Sequence, residues 1–131
     1  MTAERLRIDN SNGYVGINST SPSAELDVNG EIKTVDINVA SDANLKTNIK
    51  TIKDPLEKVL KIRGVTFDWK ENLKSSAGVI AQEVEEVFPE LVKDKGSKSA
   101  NYNGLIRLLI ETVKNQQAQI DDLNNRLSKL E

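Results

Sequence analysis

The stretch IRLLIETVKNQQAQIDDLNNRLSKL, residues 106–130, decides how this chain is organised. Its apolar residues recur at the spacing of positions a and d in a coiled-coil heptad. Eight positions form this heptad seam, and seven of them are apolar: Ile106, Leu109, Val113, Gln116, Ile120, Leu123, Leu127 and Leu130. Gln116 is the polar exception, and one buried polar group in a seam typically fixes register and strand number. The pattern predicts a long helix that associates with other helices; the alternative is an ordinary surface helix packed on its own domain.

A helix start is predicted about fifty residues earlier. In the stretch Asp54-Pro55-Leu56-Glu57, Asp54 is a candidate cap, Pro55 suits the first helical position and Glu57 can reach back to the cap. Gly64 is expected to end this helix.

The next forty residues predict alternating short elements. Val65, Phe67 and Trp69 alternate with polar residues, which is typical of a strand with one apolar face. Phe67 and Trp69 are expected to pack in a core, and a stacking platform for bases or sugars is the alternative. A second strand at 77–80, a helix at 82–87 and a hairpin around 94–97 complete a small α+β unit.

The first 40 residues read as short strands separated by turns. The pairs Leu6/Ile8 and Val15/Ile17 flank a turn of Asn and Gly residues, and the apolar positions of 35–39 alternate strictly. Because so few strands cannot bury a core alone, we expect this arm to pack against copies of itself or to continue a longer stalk.

Composition excludes several classes of function. The chain has 131 residues, 18 basic against 20 acidic, and no His or Cys, which removes disulfides, Cys/His zinc sites and imidazole bases. A net charge of −2 argues against a nucleic-acid partner. No apolar run approaches a membrane span and no signal-peptide pattern opens the chain. No metal or cofactor is indicated, so any chemistry must use Ser, Thr, Lys or carboxylates.

One local group of residues looks chemical. Ser41 and Lys46 are five residues apart in the stretch SDANLK, and a lysine is the plausible base for a serine nucleophile when histidine is absent. An ordinary lysine amine, with a pKa near 10.4, becomes a competent base only when burial lowers that value by about three units. Lys46 therefore has to be desolvated, which a carboxylate of Asp42 facing the amine would oppose. The alternative is that Ser41 or Asp42 is simply a helix cap or turn residue.

Four ordered stretches resemble a known family. They are SDANLKTNIKTI (41–52), LEKVLKIRGVTFDWK (56–70), GVIAQEVEEVFPELV (78–92) and NYNGLIRLLIETVKNQQAQIDDL (101–123). Together they closely resemble the C-terminal intramolecular chaperone domain of bacteriophage tail spikes, tail fibres and neck appendages, the self-cleaving endosialidase-type domain classed as peptidase S74. The stretch GYVGINSTSPSAELDVNGEI (13–32) is more loosely similar to the β-rich stalk repeat that precedes this domain.

The resemblance implies a division of the chain and a reaction. Residues 1–40 would be the end of a fibre stalk, and 41–131 the chaperone, with an α+β unit (41–104) and a coiled-coil helix (105–131). The implied scissile bond is Ala40–Ser41, with Ser41 as nucleophile and Lys46 as base in a single-turnover cut.

Other residues of the implied site are less defined. Either an N→O acyl shift or direct hydrolysis fits the pair, and Asn44 or Asn48 could supply an oxyanion-hole amide. Asn44 stands where the family often has arginine, which leaves the two catalytic positions intact.

The resemblance also implies partners and location. Three copies would assemble, guide the stalk of the same chain in the host cytoplasm during virion assembly, and release the chaperone while the stalk remains in the virion tail. Seam rules alone favour two strands, because Ile at a with Leu at d is a dimer pattern. An uncleaved fibre tip and a coiled-coil adaptor for another protein are the rival functions. A membrane-bound transcription factor is disfavoured, since neither a membrane span nor a DNA-binding segment is present.

Overall fold

The computed structural model describes residues 5–130. It divides into two compact units, Met1–Thr47 and Asn48–Glu131, so that Ser41 and Lys46 both belong to the first. The strands and helices are mixed and end in a long C-terminal helix, which confirms an α+β chain.

Residues 5–47 of the first unit contain one small sheet. Strands β1 (Leu6–Ile8) and β2 (Val15–Ile17) are antiparallel, and β3 (Leu26–Val28) joins β2 in parallel. Gly13, in the left-handed region at φ 75°, donates its amide to the carbonyl of Asp9 at 2.7 Å and closes the predicted turn.

The strand predicted from the alternation at 35–39 is wrong for a single chain. Residues 29–42 form no regular element, and the side chains of Val35, Ile37 and Val39 are exposed. A segment of alternating apolar and polar residues forms a strand only where it can pair with a neighbouring strand and pack on an apolar surface.

The described part of the second unit, residues 48–130, holds two separate hairpins and three α-helices. Strands β4 (Gly64–Asp68) and β5 (Ser75–Val79) form one antiparallel hairpin, and β6 (Val92–Asp94) and β7 (Lys98–Ala100) form the other. The helices are α1 (Pro55–Val59), α2 (Ala81–Val87) and α3 (Tyr102–Ser128), and a 3-10 turn spans Pro89–Leu91.

The start of α1 differs from its prediction. Asp54 precedes the helix, but it lies in the left-handed region at φ 51° and its side chain makes no capping bond. The carboxylate of Glu57 accepts from Lys61 at 2.9 Å instead of reaching back to the cap. Pro55 occupies the first turn as predicted, whereas Gly64 opens β4 rather than ending the helix.

The core of the second unit combines residues of α2, of the 3-10 turn that follows it and of α3. Val84, Phe88, Leu91 and Leu108 are buried together. The prediction that Phe67 and Trp69 pack in this core is wrong, because neither belongs to it. Phe67 is half-buried, Trp69 is exposed, and the two rings meet edge to face at 5.1 Å.

Helix α3 leaves this core after its third turn. Leu108 and Thr112 are buried, but every residue from 113 to 130 is exposed. The seven apolar seam residues are all exposed, and Leu130 follows the last helical residue. No helix within residues 5–130 is long and apolar enough to cross a membrane.

Candidate active site

A single 3-10 turn shapes the Ser41–Lys46 stretch. Asp42 precedes the turn (Ala43–Leu45), and its Oδ1 accepts the amide N–H of Asn44 at 2.9 Å. The amide of Lys46 donates to the carbonyl of Ala43 at 3.0 Å and closes the turn. Because Asp readily caps such a turn, the sequence itself reverses the chain between the serine and the lysine.

The turn brings the two predicted catalytic side chains into contact. Lys46 Nζ donates to Ser41 Oγ at 2.7 Å and to the carbonyl oxygen of Ser41 at 2.9 Å. The first distance is within reach of proton transfer between the two groups. The second bond anchors the amine on the downstream side of the Ala40–Ser41 peptide bond, and leaves the Ala40 carbonyl to other donors.

The carboxylate of Asp42 is turned towards backbone rather than towards the lysine. It accepts from the amide of Asn44, and within the described part of the chain no ion pair links Lys46 to any carboxylate. The contact between the Asp42 carboxylate and the Lys46 amine that the sequence allowed is therefore not present in this arrangement.

The two candidate oxyanion-hole residues are not brought into a common arrangement. Asn44 contributes its backbone amide to the turn. Asn48 adopts a left-handed backbone at φ 52° and belongs to the second unit. Neither side-chain amide makes a hydrogen bond among residues 5–130.

Both residues of the pair are open to solvent in a single chain. Ser41 and Lys46 are each exposed. The single chain thus supplies the contact between nucleophile and amine, and any desolvation has to come from an additional surface.

Residues 41–93 match the family model for peptidase S74, the chaperone of endosialidase. This segment of the chain belongs to the chaperone-of-endosialidase family. The matched region opens at Ser41 and covers the Ser–Lys contact, both helices α1 and α2, and the β4–β5 hairpin.

Relatives of this family member include fibre proteins. The chain is 35% identical over 114 residues to the long tail fiber protein Gp37 of Salmonella phage S16, covering 77% of this chain and 15% of that protein. It is 34% identical over 107 residues to Gp37 of Enterobacteria phage K3, covering 73% and 9%. A 30% identity over 121 residues relates it to the myelin gene regulatory factor-like A protein of Dictyostelium discoideum, covering 80% and 13%. The chain therefore spans less than a sixth of the length of these relatives.

Sequence reasoning missed the residues that fix the start of α3. The amide of Val79 donates to the hydroxyl of Tyr102 at 3.0 Å, and a Cβ at Gly78 would overlap that hydroxyl. A Cβ at Gly104 would similarly overlap the buried side chain of Leu91. The available signal was glycine inside a strand and inside a helix, which often marks a close approach of another group.

Proposed function

We propose that this chain is an intramolecular chaperone that assembles as a homotrimer, guides the folding of the phage fibre stalk preceding residue 41, and then frees itself by cutting the Ala40–Ser41 bond. The 2.7 Å contact between Lys46 Nζ and Ser41 Oγ carries this proposal. Fibre proteins among the relatives support the stalk as client. The work would take place in the host cytoplasm during virion assembly, with the stalk retained in the tail.

The contact supports serine chemistry with lysine as the base. Ser41 Oγ attacks the carbonyl carbon of Ala40 while its proton passes to Lys46 Nζ. The C–N bond then breaks, and Lys46 returns the proton to the departing amine of Ser41. In the acyl-shift route, Ser41 supplies both the attacking Oγ and the departing amine. The product is an ester between the Ala40 carbonyl and Ser41 Oγ, which water then hydrolyses. Direct attack by a water activated by the same pair gives the same products.

The exposed seam supports assembly. Residues 113–130 contain no buried side chain, whereas most of the stability of helices in proteins comes from packing of an apolar face. Burying the seam of several copies against one another supplies the missing stabilisation. The number of three strands rests on the family rather than on the seam pattern.

Assembly would also complete the site. Lys46 is exposed in one chain, so a surface of a neighbouring copy that excluded water would favour its neutral form. Cleavage would then follow trimerisation and act as a checkpoint. While still joined, three copies hold three stalks at a high effective concentration; after the cut, the fibre keeps its structure kinetically.

The test is cleavage of purified variants, followed by intact mass and N-terminal sequencing. Ser41→Ala is expected to leave a full-length chain that still assembles, and Lys46→Ala is expected to do nearly the same. Lys50→Ala is the matched control, because Lys50 is another exposed lysine four residues further on, and it should cut as wild type does. A new N-terminus at residue 41 in Ser41→Ala protein would show that another group cuts the chain.

An uncleaved fibre tip is the second candidate function. The exposure of both Ser41 and Lys46 favours it, since an exposed pair is a weak catalyst. It predicts an assembled wild-type chain that stays full-length during prolonged incubation.

A further inference from the structure

Among residues 5–130, no strand pairs with the edge of β5 that faces away from β4. Trp69, the residue after β4, donates its amide to the carbonyl of Lys74 at 3.0 Å. Because bonded and non-bonded pairs alternate along antiparallel strands, the backbone groups of Phe67 and Val65 also face β5. The amide of Val79 instead donates to the Tyr102 hydroxyl. By the same alternation the N–H and C=O groups of Ala77 face away from β4.

Among the described residues, the β6–β7 hairpin likewise has no strand paired with the outer edge of β7. Asn101 donates its amide to the carbonyl of Leu91 at 2.8 Å on the β6 side. Ser99 therefore bonds to β6, while the backbone groups of Lys98 and Ala100 face outwards. Both two-stranded sheets thus end in an open edge.

The two open edges border one groove. It has a volume of about 630 Å³ and is lined by residues of β5 and β7, by the first residues of α2, and by Phe67, Trp69 and Tyr102. The one charged group in its lining, Lys98, is paired with Glu85 at 2.7 Å and with Asp94 at 3.3 Å. Unpaired strand edges beside an apolar wall are the surface that binds an extended peptide as an added strand.

One segment of the chain matches this surface. Thr34–Val39 alternates apolar and polar residues, and its apolar side chains Val35, Ile37 and Val39 are exposed. The segment pairs with no strand in the described part of a single chain. Six extended residues span about 20 Å, close to the length of β5.

We propose that the groove between β5 and β7 holds Thr34–Val39 of a second copy as an inserted strand, with its apolar side chains against the aromatic wall. This inference rests on the proposed chaperone function and identifies the client strand that the chaperone holds. The segment lies just before the Ala40–Ser41 bond, so cleavage would remove its tether and allow it to leave.

The test uses full-length Ser41→Ala chains, so that the client segment stays attached. One chain carries a photoreactive benzoylphenylalanine at Ile37 and is assembled with an unmodified ¹⁵N-labelled copy. After irradiation, mass spectrometry of peptides should place adducts between copies within the segments that line the groove, 67–69, 76–82 and 98–102. Adducts confined to residues 29–42 of the other copy, adducts within one chain, or no adducts would each overturn the proposal.

Two proline variants sharpen the test. Ala77→Pro removes an amide that faces the groove, and Thr66→Pro removes one from the opposite, outer edge of the same hairpin, directly across from it. Loss of one inserted-strand bond should lower the adduct yield about ten-fold for Ala77→Pro, while Thr66→Pro leaves it unchanged. Equal yields would overturn the proposal.

Asp36→Pro provides a variant outside the second unit. Every amide of an inserted strand has a partner on one side or the other, so this change should also lower the yield about ten-fold. An unchanged yield would contradict insertion even if Ala77→Pro unfolds the hairpin. Cleavage of the Ala40–Ser41 bond is measured separately in the wild-type chain. If the wild-type chain did not cut, the adducts found in the Ser41→Ala chains would still show whether the segment inserts.

Discussion

Truncating one seam leucine should weaken assembly by an amount that follows from its exposure. Full burial of a leucine contributes about 1.5–3 kcal/mol, and Leu123 is 53% exposed in the single chain. About 1 kcal/mol per copy is then left for association, or about 3 kcal/mol in a trimer. Leu123→Ala removes most of this, so the association constant should fall by roughly two orders of magnitude. For a monomer–trimer equilibrium the midpoint concentration varies as the inverse square root of the association constant. The midpoint of assembly should therefore rise about ten-fold.

Sedimentation equilibrium across a dilution series measures this midpoint. Asn125→Ala is the matched control, because Asn125 is exposed at the heptad position opposite the seam and should leave the midpoint where it is. A Leu123→Ala midpoint equal to that of wild type, or an equal shift in both variants, would refute burial of the seam.

Three further outcomes are expected. Tyr102→Phe removes the acceptor of the Val79 amide and should cost about 1 kcal/mol in urea unfolding; an unchanged midpoint would show that the bond contributes nothing. The side-chain and then the backbone hydrogen bonds from Arg63 hold the pKa of Glu83 below its ordinary 4.5. The stabilisation by Glu83 is therefore complete above about pH 4.5 and lost as pH falls through the lower folded value, so the Tm of Glu83→Gln should drop less on acidification; parallel Tm curves would contradict this. Gln116→Leu should tighten assembly but give mixed oligomers in sedimentation velocity, and a single unchanged species would rule out a register role for Gln116.

Periodicity predicted most of the second unit. The heptad pattern predicted the helix α3, although its apolar seam is exposed in the single chain. The alternation from Val65 to Trp69 predicted β4, because apolar residues at period two are typical of a strand. The strand predicted at 35–39 is not formed in the single chain, because its alternation needs a neighbouring strand to pair with. The predicted Asp54 cap is wrong: the residue has a left-handed backbone and no capping bond, whereas a capping residue typically has an extended backbone.

The candidate site was predictable only in part. Five-residue spacing in a chain without histidine was enough to single out Ser41 and Lys46, and the contact between them follows from the turn that Asp42 caps. Their roles and the position of the cut came from the family resemblance. The tie between Tyr102 and Val79 joins residues 23 positions apart, and no local pattern specifies such a pairing.

The most direct test of a chaperone that cuts itself after assembly is to measure mass and oligomeric state on the same samples. Intact and native mass spectrometry would be recorded for the wild-type chain and for a variant with Ile120→Asp and Leu123→Asp, at equal concentration and pH. Six charges in a trimer seam cost several kcal/mol per unpaired ion, so the variant should be a full-length monomer, while wild type appears as trimers of the fragment 41–131. A cut monomer, or wild-type trimers that stay full-length, would contradict the account.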